Sequence, residues 1–301
     1  MLVAGNLVLD LLAWPVTELR WDGTIWVDEF ARSVGGNGAN TSYTLAKMGV
    51  EVMLAGAVGK DAEGTELLGL LEDVGVETSG VKRLALPTPT TLAMVKKTGE
   101  RAFVHRPGAS RGALTKALRM PKAEHFHVAN PFGVPALRTL APENLRRAKK
   151  AGMTTSLDAG WDSRGEWGSV VLPCLEWVDV LFVNEEEAML ISGAKSWQAA
   201  IPLLPAKRVV LKRGKQGAVV DGVAVPGYTV AAMDSTGAGD VFAGAWIAAS
   251  LRGQPPVAAT QFANAAAALS VTKLGSIAGV RSFRQTAQWM QAQHRSSLQP
   301  A

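Results

Sequence analysis

Asp234-Ser-Thr-Gly-Ala-Gly-Asp-Val-Phe242 is a short glycine-rich loop that leads directly into an apolar stripe with helical spacing, which continues to Ala249. The first N–H groups of a helix lack intrahelical partners, and the helix dipole adds partial positive charge at the same end. Gly237 and Gly239 permit unusual dihedral angles and close approach of a ligand. The segment therefore predicts an anion-binding site where a loop becomes a helix.

Asp240 stands inside this expected anion site. An acid at a helix start ordinarily acts as a cap or complements the helix dipole. A carboxylate also repels a bound phosphate. Its presence here therefore favours a role in which Asp240 contacts an attacking hydroxyl while the amides hold a phosphoryl group. We expect the positive helix end to keep Asp240 ionised at neutral pH, as a base requires.

Short apolar runs alternate with helical patterns over the chain that precedes this loop. The predicted strands span 2–9, 52–58, 125–128, 154–157, 178–183 and 209–211, and the predicted helices span 39–48, 64–74, 142–151 and 185–191. Such alternation predicts an α/β fold with a doubly wound, mostly parallel sheet and helices on both faces. A length of 301 residues suits a single domain over 1–301.

Two stretches fit the alternation poorly and look like strands outside the main sheet. We expect them, within about 20–34 and 88–106, to form a small β lid over a site. The second stretch predicts a hairpin that turns at Lys97–Glu100, with Gly99 supplying the turn. Exposed lid edges, with tryptophans nearby, favour a homodimer formed through the lid.

Composition and charge narrow the classes of function. The net charge is +5, and the densest basic run ends a predicted helix without interleaved aromatic residues, so we read it as a solvated helix face and expect no nucleic-acid partner. The single cysteine, Cys174, fits a reducing compartment. The N-terminus lacks the pattern of a signal peptide, and no apolar run is long enough to span a bilayer. We therefore expect a cytoplasmic protein with no membrane partner.

The loop 234–242 resembles the C-terminal signature of the ribokinase-like sugar kinases, the PfkB family. Gly35–Asn40 resembles the N-terminal signature, and further motifs follow in the family's order over almost the whole chain. The resemblance implies a ribokinase-like fold and ATP-dependent phosphorylation of a hydroxyl of a sugar or sugar-like compound. It implies Asp240 as the catalytic base, with amide donors at Gly237, Ala238 and Gly239.

The resemblance also implies a substrate site. In the run 158–164, Gly160 stands where many relatives have Asn, so this departure leaves the particular sugar open. A tryptophan follows, which could stack on a sugar ring or simply pack the loop. The implied substrate residues are Asp10, Gly36, Asn40, Arg106 and Trp161.

Residues that hold ATP and metal ions are implied in the same way. Asn184 and Glu187 match a motif that acts on Mg²⁺ through water, although a helix cap with dipole-complementing acids explains both equally well. The implied nucleotide residues are Asn184, Lys212, Gly214, Thr236 and Asn264. A K⁺ site is implied at Asp234, Thr236 and Gly275.

Other functions compete with this interpretation. The same scaffold serves adenosine-like nucleoside kinases, and a catalytically silent sugar- or nucleotide-binding regulator would share the same motifs. A dinucleotide oxidoreductase is a weaker alternative. It requires a Gly-x-Gly-x-x-Gly pattern after the first strand, whereas Thr41 holds the place of the third glycine in the Gly36 segment.

Overall fold

The strands form two separate sheets in the computed structural model, which describes residues 1–19 and 21–297. In chain order the strands are β1 (Leu2–Gly5), β2 (Val8–Trp14), β3 (Glu29–Gly35), β4 (Val52–Gly59), β5 (Val76–Glu77), β6 (Val81–Leu84), β7 (Thr90–Val95), β8 (Arg101–Arg106), β9 (His125–Ala129), β10 (Thr154–Asp158), β11 (Val180–Asn184), β12 (Val209–Lys212), β13 (Ala218–Val220) and β14 (Val223–Val225).

The larger sheet is the doubly wound, mostly parallel sheet that the sequence predicts. Its strand order is β14-β13-β12-β11-β10-β9-β1-β4-β5, and β6 pairs with the second half of β4. All pairs from β12 to β5 are parallel, whereas β13 and β14 form an antiparallel edge. Parallel neighbours need crossover connections, and helices supply most of them.

Helices cover both faces of this sheet. They are α1 (Asn37–Lys47), α2 (Ala62–Glu72), α3 (Leu137–Lys150), α4 (Trp167–Leu175), α5 (Glu185–Ser192), α6 (Trp197–Ala200), α7 (Ala238–Ser250), α8 (Pro256–Ser270) and α9 (Phe283–Ser297). One apolar core lies under α1, α2, α7 and α8, and a second lies under α3, α4 and α5. Of the helices in the described ranges, none has the length and apolar character needed to cross a bilayer.

The expected first strand, 2–9, was wrong in its extent. β1 ends at Gly5, and the chain re-enters a strand at Val8 in the other sheet. A Cβ on Gly5 would lie 2.8 Å from Gly38 Cα, so the start of α1 packs directly against the end of β1. A continuous apolar run does not indicate where the chain leaves one sheet and enters another, because β1 and β2 are both largely buried.

The smaller sheet has the order β3-β2-β7-β8. β7 and β8 form the expected hairpin, with Gly99 at φ 84° in its turn. β3, β7 and β8 fall within the expected lid segments, but the central strand is β2, which sequence reasoning assigned to the main sheet. Arg20, the first residue of the expected 20–34 segment, lies outside the described residues. That this sheet acts as a lid stays a prediction.

Candidate active site

Strands β10, β11 and β12 end together at the carboxyl edge of the main sheet. Their last residues are Asp158, Asn184 and Lys212. The N-terminus of α7 faces the same region, since Lys212 Nζ would lie 3.3 Å from a Cβ placed on Gly239. Ligands of doubly wound sheets bind outside the carboxyl ends of the strands, so this edge is the candidate site.

The glycine loop at the start of α7 has the form that the sequence predicts. Gly237 occupies the N-cap position with φ 71°, and no side chain caps the helix. Within the described residues, the N–H groups of Gly237, Gly239 and Asp240 have no hydrogen-bond partner, whereas Ala238 N donates to Ser235 O at 3.4 Å. A Cβ on Gly239 would meet only Lys212 Nζ within 4 Å. Unpaired amides therefore border open space beside an ammonium group.

The Asp240 carboxylate is buried and held by two side-chain amides. Asn37 Nδ2 donates to Oδ1 at 2.8 Å, and Asn40 Nδ2 donates to Oδ2 at 2.9 Å. Burial and the charge of Asp158 raise the pKa of Asp240 to about 6, against the opposing effect of the two amide hydrogen bonds. At pH 7 the carboxylate is still mostly ionised, although burial makes it a weaker acid than an exposed aspartate.

The two asparagines are fixed by the packing of α1 against α7. A Cβ on Gly244 would come within 3.0 Å of Thr44, so this glycine allows the helices to approach closely. Asn40 Oδ1 accepts from Ser276 Oγ at 3.0 Å, and Asn37 Oδ1 accepts from Asn130 Nδ2 at 2.9 Å. Each amide is therefore oriented with its NH₂ group toward Asp240.

Sequence reasoning missed Asn37 and Asn130 and assigned Asn40 to the substrate. In the structure the Asn40 amide instead orients the carboxylate of Asp240. Asn37 was within the quoted glycine segment, but no motif position singled it out. Asn130 adopts φ 58° just after β9, and a left-handed asparagine at a strand end is a signal visible only in coordinates.

A buried ion pair lies beneath the glycine loop. Lys212 Nζ donates to both carboxylate oxygens of Asp158 at 2.8 Å. Burial by itself would lower the pKa of Lys212, but the charges of Asp158 and Glu187 outweigh it and raise the pKa. The ammonium is therefore permanently charged and positioned to face an anion in front of Gly239. The sequence pointed to Asp158 only as the first residue of the run 158–164, in which Gly160 departs from the family pattern.

Asn184 and Glu187 form a capping box at the start of α5. Asn184 Oδ1 accepts from Glu187 N at 2.8 Å, and Glu187 Oε2 accepts from Asn184 N at 2.8 Å. Burial raises the pKa of Glu187, and the nearby Lys212 opposes that increase. In the described ranges, no cluster of three His, Cys, Asp or Glu side chains could hold a metal ion directly. The donor set fits Mg²⁺ held through water, because Mg²⁺ keeps much of its hydration shell.

Asp10 lies in β2 and faces the same region from the smaller sheet. Its carboxyl group covers Gly35, where a Cβ would lie 2.1 Å from Oδ2. Burial, together with the charges of Asp234 and Asp240, raises the pKa of Asp10 to about 7, although a hydrogen bond from Thr91 opposes the increase. The expected substrate residue is therefore near Asp240, although it is mid-strand and not at a strand end.

The remaining expected substrate residues have different environments. A Cβ on Gly36 would lie 2.7 Å from Asn6 O, so this glycine serves a close backbone contact. Trp161, the residue that follows Gly160, packs edge-on against Trp167 and keeps 58% of its surface exposed. Its ring is free to contact a ligand.

Arg106 is not brought to the site. Asp10 pairs with Thr91, and Thr91 pairs with His105, so these three residues share one face of the smaller sheet. Side chains alternate along a strand, and Arg106 therefore lies on the opposite face. Its guanidinium donates to Thr88 O and Thr90 Oγ1 at the base of the sheet. A contact of Arg106 with the substrate stays a prediction, and this arrangement does not favour it.

Two of the expected nucleotide residues, Gly214 and Asn264, have different environments. Gly214 has φ 55° and faces open space. Asn264 is buried, and its amide donates to Val225 O and Pro226 O at 3.1 Å, so it supports the chain after β14. A direct contact of its amide N–H groups with a base would require these bonds to break.

The turn before the glycine loop is built around the buried Asp234. Thr236 N and Oγ1 donate to Asp234 Oδ1 at 2.9 and 2.7 Å, and Gly275 N donates to Oδ2 at 3.0 Å. Arg101 in β8 reaches this turn, with Nη1 donating to Thr236 Oγ1 at 3.1 Å. No sequence motif had singled out Arg101.

Comparisons with known proteins identify the family. The model of the pfkB family carbohydrate kinases matches residues 6–282. Fructokinase-1 of Oryza sativa subsp. japonica is 30% identical over 82% of this chain and 85% of its own length. The ATP-dependent ribose-1-phosphate kinase of Halopiger xanaduensis is 29% identical over 86% of this chain and 91% of its own length.

Solved structures share the fold. The structure of Arabidopsis thaliana ribokinase complexed with ribose and ATP superimposes with a TM-score of 0.82 at 23% identity, covering 96% of this chain and 97% of that one. The ribokinase-like fold expected from the sequence is therefore confirmed.

Replacing Lys212 with methionine tests the buried ion pair. The Lys212→Met variant leaves two carboxyl groups buried without their ammonium partner, so we expect a loss of about 3–5 kcal/mol in the free energy of unfolding. Chemical denaturation measures it. Asp221→Asn is the control, because it neutralises the exposed Arg208–Asp221 pair, keeps a residue type that tolerates the left-handed φ of 49° at this position and should cost less than about 1 kcal/mol. Equal small losses in both variants would contradict a desolvated pair.

Proposed function

This chain belongs to the pfkB family of carbohydrate kinases, and we propose that it transfers the terminal phosphoryl group of ATP to a hydroxyl of a sugar or sugar-like substrate. The observation that carries this proposal is the position of Asp240. Its carboxylate is held by two asparagine amides directly beside unpaired helix N–H groups and the Lys212 ammonium.

Asp240 is proposed as the base. Its carboxylate accepts the proton of the attacking hydroxyl, whose oxygen forms a bond to the terminal phosphorus of ATP while the bond from that phosphorus to the bridging oxygen of ADP breaks. Asn37 and Asn40 orient the carboxylate through their N–H groups and leave its remaining lone pairs for the substrate. A weak base suffices, because phosphoryl transfer depends mainly on positioning and charge stabilisation.

The glycine loop and Lys212 are proposed to stabilise the charge on the transferring group. The amides of Gly237, Gly239 and Asp240 are backbone donors at a helix N-terminus, where they can meet the charge that develops on the transferring group. Ala238, an expected donor, contributes less because its N–H already contacts Ser235 O.

Further residues are proposed to hold ATP and Mg²⁺. Gly214, just after the end of β12, faces open space, and Asn264 supports the chain after β14. Asn184 and Glu187 would hold Mg²⁺ through water, and the ion would supply neutralising charge to the phosphates when bound.

Asp10 is proposed as the principal substrate ligand, since an ionised carboxylate accepts hydrogen bonds from sugar hydroxyls. It lies on the face of the smaller sheet that also carries Thr91 and His105. We propose that this sheet is a lid, with segments 20–34 and 88–106 flanking the central β2. Closure over Asp10 and Asp240 would exclude water and suppress ATP hydrolysis.

The substrate class is tested by measuring ADP release over pentoses, hexoses, sugar acids, sugar phosphates and nucleosides. We expect turnover with a sugar or sugar derivative. Turnover with nucleosides alone would favour the nucleoside kinase, and ATP binding without any ADP release would favour the silent regulator.

The role of Asp240 is tested by Asp240→Asn. The amide cannot accept the hydroxyl proton, so we expect kcat to fall by about 10²- to 10⁴-fold while ATP affinity, measured by calorimetry, is retained. Asp221→Asn alters an exposed carboxylate outside the site and serves as the control. Near-normal turnover of Asp240→Asn would overturn the assignment of the base.

The pH dependence of the reaction follows from the two raised pKa values. The base must be ionised, so kcat should fall about tenfold per pH unit below the pKa of Asp240, about 6. Asp10 must be ionised to accept hydrogen bonds, so KM for the sugar should rise as pH falls through its pKa, about 7. In Asp10→Asn we expect the rise in KM near that pH to disappear. A flat kcat profile between pH 5 and 7 would contradict the base at Asp240.

We propose a homodimer formed through the smaller sheet. Its edge strands β3 and β8 expose Phe30 and Phe103, by 74% and 52%, and Trp26 before β3 is 87% exposed. Burying these side chains would stabilise association. Sedimentation should show a dimer for the native chain and a monomer for Phe30→Glu, whereas Leu203→Glu, a change at another exposed leucine, should leave the dimer intact. A monomeric native chain would reject the proposal.

A further inference from the structure

The β7–β8 hairpin touches the turn that precedes the glycine loop at two places. Arg101, the first residue of β8, donates from Nη1 to Thr236 Oγ1 at 3.1 Å and lies 3.8 Å from Asp234 Oδ1. At the hairpin turn, a Cβ on Gly99 would lie 3.8 Å from Met233 O. The hairpin therefore rests on the chain that leads into α7, and a charged group makes the closer contact.

Asp234 organises this turn and is itself buried. Its side chain has no exposed surface, whereas the Arg101 side chain keeps 27% exposed. Oδ1 accepts from Thr236 N and Oγ1, and Oδ2 accepts from Gly275 N. Each of these bonds comes from a neutral donor, so the negative charge of Asp234 is balanced by Arg101, the cation that pairs with it among the described residues.

The balance of charge matters because the site contains many acids. Asp234 and Asp240 both act on Asp10 strongly enough to raise its pKa. Polyphosphate binding adds further negative charge in front of the same loop, and uncompensated like charges at short range are costly. A cation beside Asp234 lowers that cost. Arginine suits the position because it remains charged at all relevant pH values and presents several donors in a plane.

A potassium site at Asp234, Thr236 and Gly275 competes with this arrangement. The guanidinium already lies 3.8 Å from the Asp234 oxygen and occupies the Thr236 hydroxyl. A second cation at the same carboxylate would be repelled by the first. With the hairpin in contact, these residues therefore do not fit a monovalent ion.

We propose that Arg101 is a positioning residue that supplies the positive charge at the Asp234–Thr236 turn, in place of a bound monovalent cation. Because Arg101 belongs to the hairpin, its contact orders the glycine loop when the smaller sheet covers the site. Lid closure and assembly of the anion site are thereby one event. This inference rests on the proposed kinase function.

The test is Arg101→Gln, assayed in potassium chloride and in choline chloride at equal ionic strength. In choline we expect kcat to fall about 10- to 100-fold, with a smaller change in KM for the sugar, because charge stabilisation at the loop is lost. Potassium or low guanidinium chloride should restore part of the activity of this variant. The native enzyme should be equally active in both salts. Arg101→Lys, which keeps the charge, should retain an intermediate kcat in choline.

Arg32→Gln is the matched control. Arg32 is also in the smaller sheet, and it pairs with Glu66 of α2 far from the glycine loop. Its loss should weaken one contact between this sheet and the rest of the chain without creating a response to potassium. If Arg32→Gln and Arg101→Gln behave alike in both salts, the role of Arg101 is generic tethering and the proposal fails.

A readout without catalysis separates this inference from the kinase proposal. In the absence of substrates, potassium should raise the Tm of Arg101→Gln relative to choline and leave the native Tm unchanged, because binding to the folded state stabilises it. The comparison is valid even if no substrate is phosphorylated. The proposal is overturned if the native enzyme requires potassium, or if Arg101→Gln keeps full activity in choline.

Discussion

The hydrogen bonds from Asn37 and Asn40 to the Asp240 carboxylate connect segments that are far apart in the chain, with sequence separations of 203 and 200 residues. They join the first turns of α1 and α7, and Gly244 lets these helices pack closely enough for the contact. An acid placed among unpaired helix amides would otherwise be free to cap its own helix. Held by the two amides, it stays beside the glycine loop, where we propose that a hydroxyl and a phosphoryl group meet.

Charge compensation is the second constraint on the site. The carboxyl groups of Asp158 and Asp234 flank the glycine loop and are paired with Lys212 and Arg101 respectively. One cation comes from the end of a main-sheet strand and is rigidly buried, whereas the other comes from the hairpin of the smaller sheet. In our proposal, the Lys212 side of the anion site is part of the core, whereas the Arg101 side depends on where the smaller sheet lies.

The alternation of apolar runs and helical patterns predicted the fold, because each strand of a parallel sheet is buried on both faces and each helix has one apolar side. The error at 2–9 arose where β1 and β2 are equally apolar but belong to different sheets. Arg106 was assigned to the substrate from its place in a motif. Successive side chains of a strand point to opposite faces of the sheet. Because His105 pairs with Thr91 on the face that carries Asp10, Arg106 lies on the opposite face.

The residue types alone determined that a glycine loop opens a helix with an acid in its first turn, since backbone freedom and unpaired amides are local properties. Only the tertiary structure decided which side chains orient that acid, that burial raises its pKa to about 6, and that Arg101 reaches Asp234. These depend on contacts between segments far apart in the chain. No local pattern encodes such distances, because they result from how helices and sheets pack against one another.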